Sequence, residues 1–386
     1  MNVRDRLISL LGRFLSLLFR TRRLPERIAF ERIVILKPCC LGDVLLATPV
    51  IAAVQRAFPA ARLDFATGAW SRPVLLNNPR GRQVVDTGRV GQGRYGWRDV
   101  WRLAQLLRAN RYDLCLTLDR SPRVGLAAWL ACIPYRAGLD SGGRGFAHNI
   151  RVPVPPFRYE PELYLDVARA VSPAAARARF ENGRSEFFPS DEDKAAVERL
   201  VPQALLVAIH PGGGNNPGMS LPSKRWSPER FAAIAQRLIA EYNATVVLVG
   251  AQSDQAITRE VHAAMREPTT ALIDLTGTLS IGQLGALYQR CTLMIGNDSG
   301  VMHLANAVGT PVVALFGPSD PRVYGPYDQK SLALWHEVGC NPCFKHGRAR
   351  ADCCPNHSID AISVEECWQA VEIVLRRQDV AKRVHE

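Results

Sequence analysis

The chain lacks the apolar run of ~20 residues that a spanning helix needs; its N-terminal candidate is split by Arg13. No small-residue cleavage site follows, which counts against a signal peptide. Acidic residues are in deficit, with 36 Asp and Glu against 48 Lys and Arg, a formal net charge of +12. Ten cysteines in 386 residues are too dilute to build a disulfide scaffold. Neither the GxxxxGK[ST] phosphate loop nor the GxGxxG dinucleotide fingerprint occurs, and no DxD-like metal motif stands beside a phosphate-type loop. What remains is an ordinary globular mix, 47% hydrophobic and 22% charged, long enough for two cores. The positive balance suggests an acidic partner: a nucleic acid, an anionic membrane surface or a phosphorylated substrate. With no recognised motif and no interleaving of aromatic and basic residues, a nucleic acid is not expected.

In residues 1–28, Val3, Leu7, Leu10, Leu11, Phe14, Leu17 and Leu18 recur at steps of three and four, while Asp5, Ser9, Arg13, Ser16 and Arg20 fall opposite. This is an amphipathic helix. Arg20, Arg22, Arg23 and Arg27 extend its basic character. It suits either an anionic membrane surface or packing on its own domain or in a dimer.

Strands then alternate with helices in two series, the mark of parallel α/β sheets. In 29–190, strands are expected at Glu31–Leu36, Arg62–Thr67 and Tyr112–Leu118, with helices at Val44–Phe58 and Trp97–Asn110. Ser121–Pro161 reads as irregular, and Ser172–Pro202 as containing a linker. In 191–360, strands are expected at Leu205–Ile209, Ala244–Gly250, Thr292–Ile295 and Pro311–Phe316, with a capped helix at Ser227. A capping box at Ser363–Glu366 opens the final helix, to Arg377, within 361–386. The fold class is α/β: two Rossmann-like doubly wound domains facing a cleft, with no sequence repeat between them and ligands at the strands' carboxyl ends.

Four loops carry the chemistry. In Lys37-Pro38-Cys39-Cys40-Leu41-Gly42-Asp43, Asp43 is either a helix N-cap or a general base. From His210 to Trp226, Gly212, Gly213 and Gly214 let backbone N–H groups approach an anion, and Lys224 adds a charge suited to a diphosphate. Seventeen residues is long for a plain connection. Asp254, after the next strand, is either a cap or an acceptor for ribose hydroxyls. In Gly296–Ala305, the N–H groups of Ser299 and Gly300 suit phosphate oxygens, Asp298 suits sugar hydroxyls, and His303 lies in the first turns of a helix.

Taken in this order, the loops resemble glycosyltransferase family 9, the ADP-heptose:lipopolysaccharide heptosyltransferases, which have the two-domain GT-B fold. The resemblance spans about Arg32 to Trp368. It rests on K-x-x-x-x-G-D at 37–43, H-P-G-G at 210–213, K-R-W-S-P-E-R-F at 224–231, G-N-D-S-G-V-M-H-L-A at 296–305 and F-G-P-S-D-P at 316–321. It implies inverting transfer of heptose from ADP-heptose to the lipopolysaccharide core, with no cofactor and no metal. It implies Asp43 as catalytic base. The donor set would be Gly212, Gly213, Lys224, Asp254, Asp298, Ser299, Gly300 and His303. Arg120, Arg123, Arg136 and Arg144, in or beside the irregular segment, suit the carboxylates and phosphates of such an acceptor. The enzyme is then expected in the cytoplasm, peripheral on the inner face of the inner membrane. A relative using another nucleotide sugar, a sugar-nucleotide epimerase and a non-catalytic binding protein are the alternatives.

Cys39, Cys40, Cys115, Cys132 and Cys291 read as small buried hydrophobes in a reducing compartment. Cys340, Cys343, Cys353, Cys354 and Cys367 crowd the last fifth with His346 and His357, either as loop thiols or as a structural zinc site.

Overall fold

The computed structural model describes residues 3–19, 21, 24, 29–176, 185–201, 205–267, 269–339, 342–345, 348–349 and 357–385. The chain divides into two compact units, Met1–Glu186 and Phe187–Glu386. The boundary falls slightly before the expected residue 190. The Glu186 N–H donates to Thr48 Oγ1, whereas the Phe187 ring lies where a side chain on Gly285 would collide with it. One peptide step thus leaves the first unit for the second.

The first unit runs α1 (Val3–Leu18), β1 (Arg32–Leu36), α2 (Leu41–Ala57), β2 (Arg62–Thr67), β3 (Gln83–Asp86), α3 (Trp97–Ala109), β4 (Leu114–Thr117), α4 (Pro122–Leu130), β5 (Tyr135–Asp140), β6 (Ile150–Pro153), α5 (Glu160–Arg169) and the single turn α6 (Pro173–Ala176). Its six strands are all parallel, ordered β3-β2-β1-β4-β5-β6. Strands covered on both faces are apolar throughout. Val34 and Leu36 of β1 join α3 and α4 in one core. Ile33 and Ile35 alternate to the other face and are equally buried, on the side where α2 and α5 pack together. The expected irregular stretch 121–161 in fact holds α4, β5 and β6. β5 and β6 escape notice because their Arg and Gly residues break the apolar run. The sheet supplies the burial that their own sequence does not signal.

The second unit runs α7 (Asp191–Glu198), β7 (Leu206–His210), a small hairpin β8 (Asn215–Asn216) and β9 (Met219–Ser220), α8 (Pro228–Tyr242), β10 (Thr245–Leu248), α9 (Gln255–Ala263), β11 (Leu272–Asp274), α10 (Ile281–Arg290), β12 (Leu293–Asn297), α11 (Gly300–Ala307), β13 (Val312–Phe316), α12 (Pro321–Tyr324), β14 (Leu332–Trp335), a second hairpin β15 (Phe344–Lys345) and β16 (Arg348–Ala349), α13 (His357–Asp360) and α14 (Val364–His385). Its main sheet is again six parallel strands, β11-β10-β7-β12-β13-β14, which is the first unit's order repeated. Trp226 and Phe231 meet edge to face at 5.1 Å in its core, which α14 closes with Cys367, Trp368 and Val371.

α1 packs the other way round from a helix that hides its apolar side. Gly12 lies so close to Gly143 that a Cβ would sit 2.3 Å from its carbonyl oxygen. Arg151 donates to the carbonyls of Ser16 and Phe19, and the Phe19 ring lies 5.3 Å from those of Trp129 and Phe146. Leu10, Phe14 and Leu17 lie ~160° round the helix and are exposed, as is Leu11. Among the described residues, no helix is long and apolar enough to cross a membrane.

Candidate functional site

In each main sheet the strand order reverses between the first and fourth strands, β1 and β4 in one and β7 and β12 in the other. Loops leaving these strands run in opposite directions and open a crevice at the carboxyl ends, where open α/β sheets bind ligands. Lys37 follows β1 and Asp119 follows β4. His210 ends β7 and Asp298 follows β12.

In the first unit Lys37 is buried, with its ammonium 3.1 Å from Asp43 Oδ2 and 3.7 Å from Asp119 Oδ2. It lies 5.7 Å from the centroid of the buried Tyr164 ring. Burial by itself would lower the Lys37 pKa; the carboxylates of Asp43, Asp119 and Glu160 more than reverse this and hold it above the usual value. The lysine is therefore a fixed positive charge. Asp43 is not the N-cap of α2 but its third residue: Cys40 is the cap, and its N–H reaches Asp43 Oδ2 at 3.4 Å. The side chain remains 35% exposed, so the carboxylate meets both a fixed cation and solvent. A general base must be open to the proton it takes, and this carboxylate is. Lys37 stood in a quoted motif without a role and Asp119 was not singled out, because 82 residues separate them and only the adjacency of β1 and β4 joins them.

The four arginines are not brought together. Arg120 donates two bonds of 2.7 Å to the buried Glu160. Arg136 sits near the start of β5, at the end of the strand away from the crevice, and donates to the carbonyls of Ile133 and Ala147. Both bind the protein's own acceptors, so the expected acceptor role has no geometric support in them. Arg123, exposed at the start of α4, donates to Tyr95 O and lies over the rings of Tyr95 and Trp97. Arg144 is half-buried in the loop that leaves β5.

In the second unit the glycine loop is tied down from three sides. The buried Asn297 donates to the carbonyls of Pro211 and Gly212 and accepts from the Trp226 N–H. Arg225 donates to Gly213 O. A Cβ on Gly212 would come 2.4 Å from Asp254 Cγ, and Gly213 has a φ of +102°, so glycine is required at both. Asp254 is turned inward. It is buried, accepts from the N–H groups of Ala251 and Gly213, and lies 3.7 Å from His210 Nε2. His210 Nδ1 in turn lies 3.4 Å from Ser299 Oγ. Lys224 forms an ion pair with the buried Asp298, which also accepts from Ser319 Oγ. Burial would raise the Asp298 pKa; Lys224, Ser319 and His303 outweigh it and hold the carboxyl below the usual value of 3.8. Ser299 caps α11, whose first residue is Gly300, and His303 is buried one turn on. The arrangement offers a rigid backbone loop, an oriented ammonium and a helix N-terminus, which together suit a diphosphate. Asn297 and His210 stood in quoted motifs, but their tying role needed the fold.

Cys115 and Cys291 are buried as expected, whereas Cys39, Cys40 and Cys132 depart from expectation. Cys39 and Cys40 form a disulfide with each other. Cys343 is disulfide-bonded too, so it is not the free thiolate that a zinc site requires. Cys340, Cys353, Cys354 and His346 lie outside the described residues, as does the His357 side chain. Among the described residues no group of His, Cys, Asp and Glu is arranged to hold a metal. Cys132 is exposed, whereas Cys115, Cys291 and Cys367 are buried and their thiols are pushed up to about 12 by burial. Maleimide labelling of the native protein, mapped by mass spectrometry, is expected to modify Cys132 within minutes and Cys115, Cys291 and Cys367 only on unfolding. Rapid native labelling of any of these three would contradict the burial.

Residues 100–352 match the profile of glycosyltransferase family 9 (heptosyltransferase). The lipopolysaccharide heptosyltransferase 2 of Escherichia coli K12 is 29% identical over 313 residues, covering 78% of this chain and 87% of that protein. Among solved structures, the E. coli ADP-heptose lipopolysaccharide heptosyltransferase II superposes with a TM-score of 0.70 at 24% identity, over 90% of this chain and 99% of that one. A family 9 glycosyltransferase from Veillonella parvula gives 0.72 at 22% identity, over 92% and 100%.

Proposed function

Because this chain belongs to glycosyltransferase family 9, we propose that it transfers heptose from ADP-heptose to the lipopolysaccharide core, with inversion at the anomeric carbon. The reading is carried by Asp43, partly exposed beside the Lys37 ammonium where the strand order of the first unit reverses. Asp43 takes the proton of the attacking acceptor hydroxyl, and Lys37 holds the carboxylate in place. As the sugar–phosphate bond breaks, negative charge builds on the departing diphosphate. Lys224 and the N–H groups of Ser299 and Gly300 receive it without reorganising. Asp298 aims Lys224, and Asp254 with Asn297 shapes the glycine loop. Arg123, exposed at the start of α4, and Arg144, in the loop that leaves β5, meet the acceptor's anionic groups. The acceptor is an amphiphile of the cytoplasmic leaflet, and α1, apolar side outward, sets the enzyme on that surface.

A thermal-shift panel of ADP, UDP, GDP and CMP tests the donor. A ligand at a hundredfold excess over its Kd stabilises the folded state by about 2.7 kcal/mol. ADP alone is expected to raise Tm. A selective shift with UDP or GDP would replace the donor, and no shift with any would overturn nucleotide-sugar transfer.

A further inference from the structure

α1 is not the only apolar element that faces outward in the first unit. α3 and α4 share one core on the same face of the sheet, so their outer sides point the same way. On that outer layer α3 exposes Trp97 and Trp101, at 59% and 53%, together with Leu106. α4 exposes Trp129, at 43%, and the Phe19 ring that follows α1 lies against Trp129. The opposite layer is different in kind: α2 and α5 expose no large apolar side chain. The fully exposed charges described on these helices are also of one sign. Arg98, Arg102 and Arg108 on α3 and Arg13 on α1 are exposed. Asp99 is the one acidic side chain described on these three helices. It is only partly exposed and accepts from the Gly96 N–H at the start of α3.

We propose that the α1–α4–α3 layer is a single docking surface for an anionic bilayer, of which α1 is one edge. It deepens, and rests on, the membrane placement given above. Indole rings favour the level of the lipid headgroups, and arginines between them meet lipid phosphates. A second copy of the chain would have to bring a face of opposite charge to these arginines, whereas an anionic leaflet supplies it everywhere.

The test uses the full chain and vesicles of phosphatidylcholine alone or mixed equally with phosphatidylglycerol. The mixed vesicles are expected to bind the protein, and phosphatidylcholine alone to bind it far less. Trp101→Ala is expected to weaken binding about tenfold, the scale of one large apolar side chain leaving water. The pair Arg98→Glu and Arg102→Glu should weaken it further and flatten its salt dependence. With α1 disabled by Phe14→Ser and Leu17→Ser, residual binding should remain and should still fall with Trp101→Ala. Unchanged binding in Trp101→Ala, or no residual binding once α1 is disabled, would leave α1 as the sole anchor and overturn the proposal. A dimer by light scattering that Trp101→Ala dissociates would assign the face to a second copy and overturn it equally. Transfer to a water-soluble core oligosaccharide should be unaltered in Trp101→Ala, with an unaltered Tm. If wild-type protein binds vesicles but transfers to no such acceptor, the assigned reaction fails and the docking surface stands.

Discussion

Asp43→Asn is expected to lower kcat for heptosyl transfer ~10²-fold or more while leaving the affinity for ADP-heptose within about twofold. The amide can still accept the Cys40 N–H, so the start of α2 keeps its cap. It cannot take a proton from the acceptor hydroxyl, and that loss is confined to the transition state. Asp119 is the necessary control, because it is the other carboxylate within reach of Lys37. Its Oδ1 already accepts the Ser121 N–H at 2.7 Å, and its side chain is less exposed than that of Asp43. Asp119→Asn should therefore cost less than Asp43→Asn in single-turnover assays at saturating donor. The reverse order would transfer the role of base to Asp119. Full turnover in both variants would remove carboxylate catalysis from the mechanism.

Lys224→Met should lower kcat by ~10²-fold or more, the scale seen when one preorganised donor to a developing oxyanion is lost. It should also destabilise the fold, for a separate reason. Asp298 is buried, and without Lys224 its charge keeps Ser319 Oγ as a donor and His303 nearby but loses its ion-pair partner. Breaking a buried pair from one side costs about 3 kcal/mol. The pH dependence follows from the depressed Asp298 pKa. The pair's stabilisation is present above the unfolded carboxyl value, near 3.8, and is lost as pH falls through the lower folded value. The stability gap between wild type and Lys224→Met should therefore be largest near neutrality and close in acid. Adding Asp298→Asn should restore most of the stability of Lys224→Met at neutral pH without restoring turnover. Denaturant melts and kcat measured on the same three proteins decide it. Recovery of turnover along with stability would mean that Lys224 acts through the fold and not on the diphosphate.

Much of the site was legible because its signals are local. A buried strand is a short apolar run, and the glycines and Lys224 sit at fixed offsets behind one. The central strands were found this way: Arg62–Thr67 falls where its alternation places it, and Pro311–Phe316 needs one residue trimmed. The edge strands β3, β11 and β14 are only three or four residues long and partly exposed, and they give too little pattern to read. β5 and β6 were hidden by Arg136, Gly138 and Arg151. The arginines misled for a physical reason. A guanidinium serves a buried carboxylate or a carbonyl as well as it serves a ligand, and the sequence does not say which will be near. Arg120 met Glu160, forty residues away.

By itself the sequence determined the two α/β series, the four loops with their order, and so the family and its chemistry. These depend on residue type and short spacing, which folding preserves. The tertiary structure decided whatever depends on which strands lie side by side. It placed Lys37 between Asp43 and Asp119, locked Lys224 to Asp298, and turned Asp254 inward over Gly212. It also set the direction of α1. Helical periodicity defines an apolar side, but the close approach of Gly12 to Gly143 left that side facing out. Burial, pairing and orientation are set by neighbours distant in the chain, and the sheet order that supplies those neighbours is written in no single segment of it.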